Sequence, residues 1–180
     1  MQSVKNVIIS CAGLGSRLGL NIPKCLVEVG NKKIIERQLE LLTDVPNIRV
    51  VVGFKEMEVI NFIKNIRKDV VFVRNPDFAK TSNSYSIYLA TKDLNEPHII
   101  IDGDLIIEKN SFLSFIKQCK NENLIGVTRA KTEDAVFVDL DNNFNIKKFS
   151  RENKNKYEWC GVAYLNNIKM PNNQNYVFRS

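Results

Sequence analysis

Histidine occurs once in the 180 residues, as His98, and the four cysteines, Cys11, Cys25, Cys119 and Cys160, stand far apart with no C-x-x-C pair. A zinc cage assembled from closely spaced Cys and His ligands is therefore excluded. The thiols are expected to be reduced and mostly buried, as in a reducing compartment. No apolar run approaches the ~20 residues that cross a bilayer. Met1 leads through polar Gln2-Ser3 into one short apolar strand, unlike the flanks of a signal peptide. The expected location is the cytoplasm, with no membrane insertion. Lysine and arginine outnumber acidic residues by 26 to 20, for a formal charge of +6, but they form no block interleaved with aromatics. That scatter argues against a nucleic-acid groove and leaves an anionic small substrate as the use for the positive balance. Internal repeats and linkers are also missing, and 44% hydrophobic with 26% charged residues is ordinary for a globular chain of this length. One domain over 1–180 is expected.

What is present begins with Val7 to Lys24, VIISCAGLGSRLGLNIPK. Val7 to Ile9 with Cys11 predicts a buried strand, ended abruptly by Gly13-Leu14-Gly15, with Arg17 and then Pro23-Lys24 following. Backbone N–H groups at a strand's carboxyl end, with cations nearby, hold phosphates. Two such loops fail on spacing. A dinucleotide fingerprint needs a third glycine where Leu18 stands, Gly19 falling one place late, and no Gly-Lys-Ser/Thr follows Gly13 as a P-loop requires.

Strand and helix patterns then alternate. Ile34, Ile35, Gln38, Leu39 and Leu42 recur at helical spacing behind Asn31 as cap, and Arg49 to Phe54 is a continuous apolar strand. Met57, Ile60, Ile63 and Ile66 are predicted to line the next helix, before a strand at Val70 to Val73 and a turn at Asn75-Pro76-Asp77. Ser82 is placed to cap a helix carrying Ile87, Leu89 and Ala90. His98 to Ile101 predicts a buried strand ending in Asp102-Gly103-Asp104, followed by a helix with Phe112, Phe115 and Ile116 and a strand at Leu124 to Val127. This order predicts an α/β fold with a Rossmann-like, doubly wound, mostly parallel sheet. Beyond Lys131, Ala135 to Leu140 and Phe144 to Phe149 flank Asp141-Asn142-Asn143 as a hairpin, and Trp159 to Leu165 adds a strand containing Gly161. These make a C-terminal antiparallel appendage, and the Asn-rich tail from Asn166 to Ser180 shows little periodicity.

Taken singly, the polar positions have ordinary structural uses. A Gly-x-Gly can be a tight turn, Asp102-Gly103 a strand-ending turn, and Asn83 an early helix residue under its cap. His98 and Cys11 suit core packing, and Trp159 an edge strand. Together they carry a resemblance. A-G-x-G-x-R at Ala12 to Arg17, followed by Pro23-Lys24, resembles the opening motif of the NTP-transferase family, which couples NTPs to phosphorylated sugars and alcohols. The apolar segment Cys25 to Gly30, the helix from Ile34 and the strand Val51 to Phe54 continue the likeness. Asn75-Pro76 with Thr81 to Ala90 is similar to the segment found in cytidylyltransferases acting on phosphocholine and related phosphates or phosphonates. Ile101 to Asp104 resembles the family's metal motif and Trp159 to Val162 its stretch beside the acceptor pocket, so the likeness covers Val4 to Asn166.

The resemblance implies a fold of the nucleotide-diphospho-sugar transferase type, with a nucleotide-binding core over 1–130 and a partial acceptor-side segment over 131–180. It implies transfer of CMP from CTP to a small anionic phosphate or phosphonate acceptor, such as a phosphocholine-like, aminoalkyl phosphonate or phosphorylated amino-acid metabolite. Pyrophosphate would be released, and the product would serve the decoration of surface polysaccharide or lipid. Lys24, Arg17 and Asp104 are the implied catalytic residues. Lys24 would meet the α-phosphate and the acceptor phosphate, Arg17 the β and γ groups, and Asp104 the cofactor Mg²⁺. Cys11, Ala12, Gly13, Gly15, Ser16, Asn83, Ser86 and Asp102 are implied in nucleotide binding. An extended Asp102 to Asp104 would set both carboxylates on one face and leave Gly103 open to a base or ribose. Compact family members continue past this length and carry a second carboxylate for Mg²⁺. Here Asp134, Asp139, Glu152 and Glu158 stand as equal candidates. The alternatives are a sugar-1-phosphate nucleotidyltransferase and a nucleotide-binding partner subunit without turnover. The oligomeric state is left open, a homodimer being one option.

Overall fold

The computed structural model describes residues 4–14, 19, 21–133 and 135–172. In chain order they form β1 (Asn6–Ser10), a 3-10 turn (Lys24–Leu26), the small hairpin β2 (Glu28–Val29) and β3 (Lys32–Lys33), α1 (Ile34–Leu41), β4 (Asn47–Val52) and α2 (Glu56–Ile66). There follow β5 (Val71–Arg74), α3 (Asn83–Thr91), β6 (His98–Asp102), α4 (Lys109–Gln118), β7 (Leu124–Arg129), β8 (Phe137–Leu140), β9 (Ile146–Ser150) and β10 (Tyr157–Leu165).

Side chains alternate across β1, and the two faces bury different helices. Val7 and Ile9 join Val50, Val52, Ile99 and Ile101 in a core completed by Ile35 and Leu39 of α1, Val59 and Ile63 of α2 and Phe112 of α4. Ile8, Val51 and Ala12 face the other way, against Ala90 of α3. Helices thus cover both faces, as continuous apolar strands require. The parallel strands run in the order β5-β4-β1-β6. The chain moves outward from β1 through β4 to β5, then crosses back to place β6 on β1's other side. That reversal opens a crevice beyond the carboxyl ends of β1 and β6, the place where open α/β sheets bind ligands.

The mostly parallel, doubly wound sheet is as expected, and the predicted hairpin is present as β8 and β9. Several details differ. β7 runs in the same sense as β6 but is not its neighbour, because β10 lies antiparallel between them. The pattern of β7 alone carries no information about which strand fills the gap. α1 takes Lys33, not Asn31, as its N-cap, since Lys32 and Lys33 are drawn into a backbone pairing with Glu28 and Val29. On α2 the buried stripe is Val59 and Ile63; Met57 and Ile66 are 57% and 46% exposed. Ile60 and Phe62 pack part-buried against the same core, so the contact centres on an i, i+4 pair with these two at its margins.

Ser82 does cap α3, its hydroxyl accepting from the Tyr85 amide at 3.4 Å. Ser82→Ala should destabilise the fold by about 0.5–1 kcal/mol, seen as a drop of a few degrees in Tm. An unchanged melting curve would show that the cap contributes nothing.

Candidate active site

Ser10 and Asp102 are register partners at the ends of β1 and β6, and one polar chain links them through α3. The Ser10 hydroxyl donates to Oδ1 of Asn83, and Nδ2 of Asn83 donates to Oδ1 of Asp102 at 2.8 Å. Asn83 is the first residue of α3, so the cap that starts the helix also aims this amide at the sheet. Behind it, buried Asn75 donates to the hydroxyls of Thr81 and Ser86 at 3.0 and 2.9 Å. Its own side-chain carbonyl accepts from the Asp77 amide at 3.1 Å. The Asn-Pro turn is therefore a scaffold that presents the hydroxyls lining the cleft.

Beyond Asp102 the chain makes a tight turn, with the Leu105 amide returning to the Asp102 carbonyl at 3.2 Å. Asp104 projects from it and meets Lys24, Nζ to Oδ2 2.9 Å. Lys24 comes from the opposite wall, where Pro23 leads into the 3-10 turn. The side chains of this pair are 34% and 44% exposed, so it adds less than about 1 kcal/mol to stability. Its interest is position: a cation and a carboxylate at the mouth of a cleft of about 260 Å³, also lined by Ser10 to Gly13, Phe78, Thr81 to Asn83, Ser86 and Asp102. Burial pushes the half-buried Asp102 carboxyl up to about 6, against the pull of the Asn83 amide, with Asp104 adding to the rise and Lys24 opposing it. A carboxylate held at this cost, facing solvent-filled space, is a candidate functional group.

Residues 7–142 match the MobA-like NTP transferase domain. The chain belongs to this family. A choline-phosphate cytidylyltransferase of Streptococcus pneumoniae is 37% identical over 110 residues, 58% of this chain and 47% of the relative. A CTP:phosphoglutamine cytidylyltransferase of Campylobacter jejuni is 33% identical over 139 residues, 74% of this chain and 52% of the relative. The chain thus spans about half the length of these curated relatives. Among solved structures, the inositol-1-phosphate CTP transferase of T. maritima superposes with a TM-score of 0.77 at 18% identity, covering 91% of this chain and 71% of that one. It shares the fold.

In this MobA-like NTP transferase domain, Lys24, Cys11, Ala12, Gly13, Asn83, Ser86, Asp102 and Asp104 all line the one cleft. Gly15, Ser16 and Arg17 lie outside the described residues, as does Asp134. The other three proposed second carboxylates have structural partners or stand at the surface. Glu158 accepts from Lys131 and Thr132, Asp139 from Asn155, and Glu152 sits in an exposed turn after β9. Cys11 is buried in the cleft wall, and contact with the Cys25 thiol, then burial, raises its pKa well above the usual thiol range, so it is packing and not a nucleophile. His98 is buried at the far end of β6, Nδ1 2.9 Å from the Glu96 carbonyl. Trp159 Nε1 donates to the Val162 carbonyl at 3.3 Å, across the irregularity in β10.

Gly103 lines the cleft, but the side where a Cβ would stand is filled. Its amide donates to the Ser10 carbonyl at 2.9 Å, and a Cβ there would stand 2.5 Å from that oxygen and 2.6 Å from Cys11 Sγ. Asp102 ends β6, and the turn that follows, not an extended continuation of the strand, carries Asp104. Gly103→Ala should therefore destabilise by about 1–3 kcal/mol through overpacking, measured by denaturant midpoint; wild-type stability would mean the turn moves freely. Gly161 closes the site from β10. Its φ is +87° and a Cβ would lie 2.9 Å from Asp102 Oδ2, so a side chain would be both strained and in the carboxylate's way.

Ser10 and Phe78 are cleft residues that pattern alone misses, as it does the supporting role of Asn75 behind the cleft. Asn75 and Ser10 leave one signal, a polar residue at the end of an apolar strand.

Proposed function

We propose that this domain transfers a cytidylyl group from CTP to a small phosphorylated or phosphonate metabolite, with Mg²⁺ as cofactor. The Lys24–Asp104 pair, set opposite Asn83–Asp102 at the sheet's crossover, is the observation that carries this reading. The cytidylyltransferase relatives supply the nucleotide and the acceptor class.

Both reactants are anionic, so the chemical problem is to neutralise charge and hold the acceptor oxygen in line with the α-phosphorus. The cleft has two ends. Lys24, Asp102 and Asp104 form a charged end suited to phosphates, and Phe78, Thr81 and Ser86 an aromatic and hydroxyl end suited to base and ribose. Lys24 exchanges its carboxylate partner for phosphate oxygens and offsets the charge that builds as the acceptor oxygen bonds to phosphorus and pyrophosphate leaves. The acceptor brings its own nucleophile, so no covalent enzyme intermediate is needed. No group of three His, Cys, Asp or Glu converges as a metal site among the described residues. Mg²⁺ is commonly held by one or two carboxylates, with substrate phosphates and water completing the octahedron. Asp104 and Asp102 would supply such a pair, and the bound ion would offset part of the triphosphate's charge.

The test is pyrophosphate release with Mg²⁺, each NTP, and a panel of phosphocholine, aminoalkyl phosphonates, phosphorylated amino-acid derivatives and sugar 1-phosphates. CTP with a small phosphate or phosphonate should react. Reaction with sugar 1-phosphates alone would redirect the assignment to that class, and CTP binding without release from any pair would make this a binding subunit.

A further inference from the structure

α1 carries one residue that its amphipathic pattern does not explain. Gln38 lies on the buried face with Ile34, Ile35 and Leu39 and is 1% exposed. A leucine or methionine would fill that place in a helix packed on a sheet, yet the chain buries a primary amide. Its Nε2 donates to the Asp102 carbonyl at 2.9 Å and to the Leu105 carbonyl at 2.8 Å. Its Oε1 is buried with no partner among the described residues. A buried, unpaired carbonyl weakens a fold, so stability alone does not account for this residue.

The two acceptors bracket the turn that carries Asp102 and Asp104. From inside, the turn is held by the Gly103 amide on the Ser10 carbonyl and by the Leu105 amide on the Asp102 carbonyl. Gln38 alone among the described side chains ties both of its ends to a helix. Among the described residues, Asp104 otherwise has only the part-exposed contact with Lys24, too weak to fix a loop.

We infer that Gln38 is a positioning residue, which holds the Asp102–Leu105 turn so that both carboxylates face one divalent cation beside the nucleotide phosphates. The inference rests on the proposed function above. Gln38 lies behind the turn and does not line the cleft, so it acts only through the backbone it grips. Groups that orient metal ligands from behind typically change metal affinity by about 10- to 100-fold when removed.

Gln38→Met and Gln38→Leu keep an apolar side chain of similar volume and remove both hydrogen bonds along with the unpaired oxygen. Each should fold, with Tm within a few degrees of the parent. The experiment titrates Mn²⁺ into the protein with CTP and no acceptor, following the bound ion by electron paramagnetic resonance. Both variants should bind Mn²⁺ at least about tenfold more weakly. In turnover they should need correspondingly more Mg²⁺, and excess Mg²⁺ should restore most of the rate. A core residue without a positioning role would lower Tm and leave ion affinity unchanged. Asp104→Ala separates the two claims. If it binds Mn²⁺ as tightly as the parent, or the parent binds none, the metal reading falls and this inference with it. If Asp104→Ala loses the ion while both Gln38 variants retain parental affinity, only the inference is overturned.

Discussion

Lys24→Ala should lower turnover by at least about 100-fold with little change in stability. The ammonium is the described cation at the mouth of the cleft, 2.9 Å from Asp104, and in the proposed transfer its charge is needed most when the acceptor oxygen and the leaving pyrophosphate both crowd the α-phosphorus. Because the ion pair is part-exposed, its loss changes folding free energy by less than about 1 kcal/mol, so a fall in rate cannot be put down to unfolding. Single-turnover rates at saturating CTP and acceptor isolate the step. A near-parental rate would remove Lys24 from the chemistry.

Asp104→Ala is expected to reduce turnover by a similar factor, at least about 100-fold, for a different reason. Here the proposed ligand for the divalent ion is removed while Lys24 is released from its partner. The loss should therefore appear in kcat and in the Mg²⁺ requirement together, and excess Mg²⁺ should not repair it. Restoration by Mg²⁺ would place the essential carboxylate elsewhere, Asp102 first. Asp102 is the tighter-held of the two, anchored by the Asn83 amide at 2.8 Å and backed by Gly161.

That Lys24 and Asp104 share one cleft was legible in the sequence because each sits in a short, distinctive motif, Pro23-Lys24 and Asp102-Gly103-Asp104. Strand faces were legible for a similar reason: Val7, Ile8 and Ile9 are all apolar, which signals burial on both sides. Other features depend on contacts between distant segments. Gln38 has helical spacing and looks like any residue on that face until the turn after β6 is seen beneath it. The need for glycine at Gly103 was not legible, because the sequence does not say that the Ser10 carbonyl and the Cys11 thiol fill the space on its Cβ side. β10 is recognisable as a strand, but its seat between β6 and β7 follows from backbone pairing, to which side-chain patterning is blind.

That seat has a consequence for how the protein is made. β6, whose core is three consecutive isoleucines, is synthesised well before the strand that covers its outer edge. Until Val162 to Leu165 arrive, a half-made chain presents an apolar strand with unpaired amides and carbonyls, the kind of edge that recruits other chains. Closing the sheet is thus a late, long-range event. The same late strand brings Gly161 against Asp102, so the nascent chain completes the wall behind that carboxylate in the act of sealing its most aggregation-prone edge.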